Sequence, residues 1–302
     1  MLAVLTFAVL FVLDPKTAED MEKSYQSLKE AQAQKDADQV KRLAAETCAL
    51  ARQVATVPAP DNDEEKAAWK DRVNYAREVE LETEYALAVT AAVATKPEVT
   101  IDLLAALEKQ NPKSKYLEDS YSRYMLALNQ TGAAAKIPAI AEKGLANFPD
   151  QEDLLLFMSD YAMTRKQSDR ALNYSRRLVT VLNKHPKPAN MSEADWERKK
   201  SASLARGYWI AGVLCGEKSL FAESDRHLRA ALPLIKGNDA MMAVALFYLG
   251  VSDYQLGQAT LNKGLVLEAQ KFSDQAAQIP GPYQQQAWKN AAIMKQTADR
   301  MR

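Results

Sequence analysis

The sequence is poor in the residues that punctuate and cross-link chains. Only ten glycines and two cysteines occur in 302 residues, and runs of β-branched residues are few. No stretch reads as a strand. Cys48 and Cys215 lie far apart, inside apolar helical patterns, and no Cys-x-x-Cys pair exists. A disulfide framework is therefore not expected, and both read as small buried hydrophobes. Histidine occurs twice, as His185 before a proline and His227 between arginines, with no second ligand at metal spacing. No strained serine elbow, phosphate-cradling glycine loop or Cys–His pairing appears. Nor is there an excess of one charge: Lys plus Arg and Asp plus Glu both total 39. A nucleic-acid binder normally carries a basic surplus or stripe. These absences leave no expected catalytic residue, metal, cofactor or nucleic-acid partner. Long apolar runs are also missing beyond "MLAVLTFAVLFVL", residues 1–13. That run is too short to span a bilayer, which takes about 20 residues. Its length suits the apolar core of a secretory signal, but no basic residue precedes it and no small-residue cleavage site follows. Export or membrane anchoring is one reading, and packing on the first helices is the other.

What is present favours helix: alanine, leucine, glutamate, glutamine, lysine and arginine dominate. Residues 1–14 form an apolar N-terminal segment and 15–57 a helical hairpin. Residues 58–65, with "PAPDND", form a linker. A long helix is expected over about 64–94. Helical stretches then alternate with short breaks to residue 281, and residues 282–302 form a C-terminal capping helix with a polar outer face. "EVELETE" (78–84) reads as a solvent face rather than a metal or acid–base cluster. Ser192 and Asp195 make a capping-box-like start for a long helix. Pro138 and Pro233 predict a kink or a late start in their helices.

Such alternation calls for a repeat test. With a glycine slot at Gly250, Leu249 fills the leucine slot and Leu246 the aromatic slot, with Tyr254 one residue late. Phe272 and Pro280 fall in step after about six extra residues, "LGQATLNKGLV", between the two helices. With the slot at Gly212, Tyr208, Cys215, Ser224, Leu228 and Ala231 fall in register without an insertion. Units centred on Met125 and Ser159 lack the glycine but keep the spacing, 34 residues apart. Weaker units centre on Ala88 and Lys29. In this pattern the sequence resembles the tetratricopeptide repeat family over roughly residues 16–300. More loosely, "WKDRVNYARE" and "ALPLIKGNDA" are similar to segments of uncharacterised bacterial members. The resemblance implies an all-α, right-handed solenoid of helical hairpins. Gly212 and Gly250 would then sit where two helices cross too closely for a methyl group.

In such a solenoid the first helix of each unit lines the concave side. By that pattern the groove residues are Tyr85, Val89, Ser122, Leu126, Leu156, Asp160, Trp209, Val213, Phe247, Val251 and Tyr254. The set is largely apolar, and the lysines and asparagines of the family's carboxylate clamp are absent. Either a protein or peptide partner docks there, with Trp209, Phe247 and Tyr254 as anchors, or the chain fills the groove itself. The expected role is that of a non-catalytic interaction scaffold of the bacterial envelope, periplasmic or membrane-anchored through residues 1–13; the alternatives are a cytoplasmic peptide-binding cofactor or regulator and, less favoured, an enzyme with an unrecognised site.

Overall fold

The computed structural model describes residues 15–188 and 191–301. Within them lie fourteen α-helices, one 3-10 turn and no strand. The expectations for residues 1–13 fall outside the described residues. The chain divides into two compact units, Met1–Phe148 and Pro149–Arg302.

In the first unit, α1 (Pro15–Ala33), α2 (Ala37–Ala55), α3 (Asp63–Val93) and α4 (Pro97–Gln110) are followed by the short α5 (Lys115–Glu118), then α6 (Tyr121–Gln130) and α7 (Ile137–Asn147). α1, α2, α3 and α4 pack each on the next, α4 packs on α6 and α6 on α7, while α1 also touches α3 and α2 touches α4. Sequence sets these boundaries. Asp36 accepts a hydrogen bond from the Gln39 backbone N–H at the head of α2, and Asn62 caps α3 through Glu64. Pro97 opens α4 where a missing N–H costs nothing.

The second unit holds α8 (Glu152–Thr164), α9 (Ser168–Lys184), α10 (Glu193–Glu217), α11 (Phe221–Ala231), α12 (Asp239–Ala259), α13 (Lys263–Gln278) and α14 (Gln284–Arg300). Each helix packs on the next. In addition α8 touches α10, α10 touches α12, and α12 touches α14. This unit is therefore a run of hairpins whose first helices form their own row. Ser192 caps α10 through the Asp195 N–H, as the capping pattern predicts.

One turn is used five times. The chain leaves the first helix through a residue with left-handed backbone: Lys35, Gly132, Lys166, Ser219 or Leu261. In every case the next N–H closes on the carbonyl five residues back, as in Asp36 to Ala31 and Asn262 to Gly257. That bond satisfies a carbonyl the helix end leaves open. The α3–α4 connection has no such residue, since Ala94 is extended.

At the crossings, glycine is a steric requirement. A Cβ on Gly212 would lie 2.5 Å from Leu228 Cγ on α11. One on Gly250 would strike Ser273 Oγ and come within 3.2 Å of the Ala269 carbonyl on α13. Close backbone approach gives dispersion contact that offsets glycine's helix cost of about 1 kcal/mol.

Three expectations need correction. The six extra residues after Gly250 are not a loop: α12 runs to Ala259 and α13 starts at Lys263, so they lengthen both helices of the hairpin. Pro233 neither kinks nor delays α11, which has already ended at Ala231. "EVELETE" is not all solvent face. Glu84 is buried and accepts a hydrogen bond from Asn111 Nδ2 at 2.8 Å, and Glu80 pairs with Arg52 at 2.6 Å.

Candidate interaction surface

The predicted groove residues divide by unit. In the second unit they are occupied with the next first helix. Asp160 on α8 pairs with Arg206 on α10 at 2.5 Å. The Arg206 guanidinium lies 4.9 Å from the Trp209 ring centre, and Trp209 Nε1 donates to the Met241 carbonyl on α12 at 2.9 Å. Phe247 rests on Tyr283, with ring centres 4.5 Å apart, and the Tyr254 hydroxyl meets Thr297 on α14 at 3.1 Å. Leu156 and Val251 are half-buried, and Val213 is 2% exposed within the core. The cause is visible in α10: residues 210–216 are buried without a break. A helix apolar all round is covered all round. α8, α9, α11 and α12 supply that cover.

In the first unit the predicted residues face solvent. Tyr85 is 42% exposed and Leu126 57%; Ser122 is exposed and Val89 half-buried. Tyr85 touches one neighbouring ring, Tyr116 of α5, with centres 5.5 Å apart. Leu81 and Val93, not anticipated, are also exposed. Leu81, Tyr85, Val89 and Val93 recur every fourth residue, so they form one stripe about 18 Å long on α3. Their spacing was readable, but α3 is apolar on several faces, and periodicity alone does not say which face looks outward.

The terminal helix also departs from expectation. Ala287, Ala291, Met294 and Ala298 of α14 pack inward, but its outer face is not wholly polar: Trp288 is 67% exposed.

Two buried polar groups escaped the sequence reading. Arg229 on α11 bonds three carboxylates: Asp225 at 2.5 Å, Asp253 of α12 at 2.6 Å and Glu268 of α13 at 2.8 Å. Asp253 is fully buried and its Oδ1 has no partner. Burial, then the adjacent Asp225, pushes the Asp253 carboxyl above the ordinary carboxylate range, against the pull of Arg229. His227 is buried on α11 against the Tyr208 ring, and neither ring nitrogen has a partner. Burial, then the charges of Arg226 and Arg176, pushes its pKa down to about 4. Both thiols are buried, and burial raises them above the usual cysteine range. Such thiols are poor nucleophiles.

No group of three or more His, Cys, Asp or Glu among the described residues is placed to hold a metal ion. No described helix is long and apolar enough to cross a membrane. Compared with known proteins, the sequence matches no family model and no curated protein.

Proposed function

We propose that this protein is a non-catalytic interaction scaffold of the tetratricopeptide type, a right-handed solenoid whose exposed apolar face holds a segment of a protein partner. Repeated left-handed turns, glycine crossings and a row of first helices support the solenoid reading. The observation that carries the binding reading is the α3 stripe, with Tyr85 and Leu81 exposed where the corresponding residues of the second unit are occupied by neighbouring helices. An amphipathic partner helix with apolar residues at the same spacing fits such a stripe. Trp209, Phe247 and Tyr254 serve the fold rather than the partner, since each already bridges to the next helix.

Partner capture from the native host tests this, using Tyr85→Ala with Leu81→Ala beside Trp209→Ala with Phe247→Ala. The first pair is expected to lose the partner and keep the thermal midpoint. The second is expected to lower the midpoint and spare binding by the folded fraction. An unchanged set of partners in the first pair rejects the reading. A place in the bacterial envelope is part of the same proposal, resting on residues 1–13; full-length protein in the cytosolic fraction would remove it.

A further inference from the structure

Residues of α2 and α4 line a trough of about 820 Å³. Its walls are methyl groups, Ala45 and Ala49 on α2 facing Ala105 and Ala106 on α4, and Leu87 of α3 contributes to its lining. Polar links cross it at two levels. Lys41 reaches Asp102 at 2.6 Å, and Arg52 donates to the Gln110 carbonyl at 2.9 Å. The two bases are eleven residues apart on α2, which sets the links about 16 Å apart. Lys109 lies beside the Arg52 link and has no hydrogen-bond or ion-pair partner among the described residues.

We propose that the trough binds a single-chain amphiphile with a carboxylate head, a fatty acid, with its chain between the alanine walls and its head at Lys109. Three observations commit the occupant. Between the two links the lining is alanine methyls with the Cys48 thiol, Arg42 and Lys109, a mostly apolar surface that suits an acyl chain and offers a peptide backbone few partners. Lys41, Arg42 and Arg52 are neutralised by Asp102, Glu46 and Glu80, which leaves Asp38 unpaired beside the Lys41 link and Lys109 unpaired beside the Arg52 link, so an anionic head is matched at the Lys109 end. Only Lys109 among those bases is uncommitted, since Lys41 and Arg52 hold the links and Arg42 pairs with Glu46. One free ammonium matches a monoanionic carboxylate better than a phosphate dianion. This assignment is independent of the partner surface on α3.

The test uses the full chain with cis-parinarate as fluorescent probe and oleate as competitor. Saturable binding of one equivalent is expected. Ala49→Leu with Ala105→Leu fills the walls at positions that are not core, and is expected to weaken oleate about tenfold with circular dichroism unchanged. Lys109→Gln is expected to weaken oleate about threefold, the size of an exposed ion pair, and to leave oleyl alcohol unaffected. No saturable binding overturns the proposal. Oleate affinity retained by the filled variant places the ligand elsewhere, on the α3 stripe for example, and overturns it equally. A synthetic amphipathic helical peptide that binds in a wall-dependent way, where oleate does not, would assign the trough to a protein segment instead.

Discussion

The guanidinium of Arg229 lies 2.6 Å from Asp253, a carboxylate with no solvent exposure. No other ion pair among the described residues has a wholly buried member. Two further carboxylates share the same guanidinium, so the group is net negative with all three ionised, and a proton held within it lessens that excess.

Removing the cation should therefore be costly. Arg229→Met leaves the three carboxyl groups without the donor they share, and a loss of about 1–3 kcal/mol is expected. Asp253→Asn should cost less, because an amide replaces a carboxyl that already holds its proton. Urea unfolding of both variants at pH 7 checks the order.

The same group predicts an alkaline slope. The folded state keeps the Asp253 proton at pH values where the unfolded chain, with an ordinary carboxyl near 3.8, has lost it. The folded state then binds more protons, so stability falls as pH rises above about 4 and through the raised pKa. Asp253→Asn should flatten that fall. Unfolding free energies of wild type and variant measured from pH 5 to 9 give the difference, and parallel curves would count against the shared proton.

His227 acts in the opposite sense. Its folded pKa is depressed to about 4 from 6.5, so the unfolded chain takes up a proton first as pH falls. The stability it contributes is complete above about pH 6.5 and drains away between there and pH 4. The full effect is on the order of 3 kcal/mol. His227→Phe keeps a ring against Tyr208 and removes two unpartnered nitrogens. It should match or exceed wild type at pH 7 and be clearly more stable at pH 4.5, by thermal midpoint.

Glycine at the crossings gives a steric prediction. Alanine would ordinarily gain helix propensity of about 1 kcal/mol. At both glycines the backbone of the facing helix lies close, Leu228 N at 3.1 Å from a Cβ on Gly212 and the Ala269 carbonyl at 3.2 Å from one on Gly250. Gly212→Ala and Gly250→Ala should each destabilise by about 1–3 kcal/mol, and Gly281→Ala, with nothing within 4 Å, hardly at all. Chemical denaturation of the three side by side settles the ranking.

Those two glycines also mark how far sequence carried. They stood out because helix formers surround them, and the steric conflict they relieve is the one that the resemblance to tetratricopeptide repeats implied. The all-helical class followed from composition for the same reason. The groove was less legible. Trp209, Phe247 and Tyr254 occupy positions a family pattern places on a concave face, yet whether such a face is open depends on how closely successive first helices approach. That is a tertiary distance, and no periodicity encodes it. Asp253 left a faint trace, as an acid three residues after Gly250 on the face that packs. Its partner Arg229 is 24 residues away, so nothing local linked them.

The left-handed residue of the hairpin turn went unread because glycine fills it only once. Lys35, Lys166, Ser219 and Leu261 adopt a left-handed conformation that costs an ordinary residue about 1–2 kcal/mol. The closing hydrogen bond and the packing of two helices impose it regardless of side chain. Leu261 is the most informative of the four. It has a φ of 52° and is 84% exposed, so its side chain packs on almost nothing that would be lost. Leu261→Gly removes the steric penalty, and glycine's greater freedom in the unfolded chain takes back part of the gain. A net stabilisation of about 0.5–1 kcal/mol is expected. Leu261→Val, β-branched at a positive φ, should destabilise. Thermal melts of the two variants bracket the wild type if the turn is built as described. Both falling below it would mean that Leu261 contributes a contact its exposure conceals.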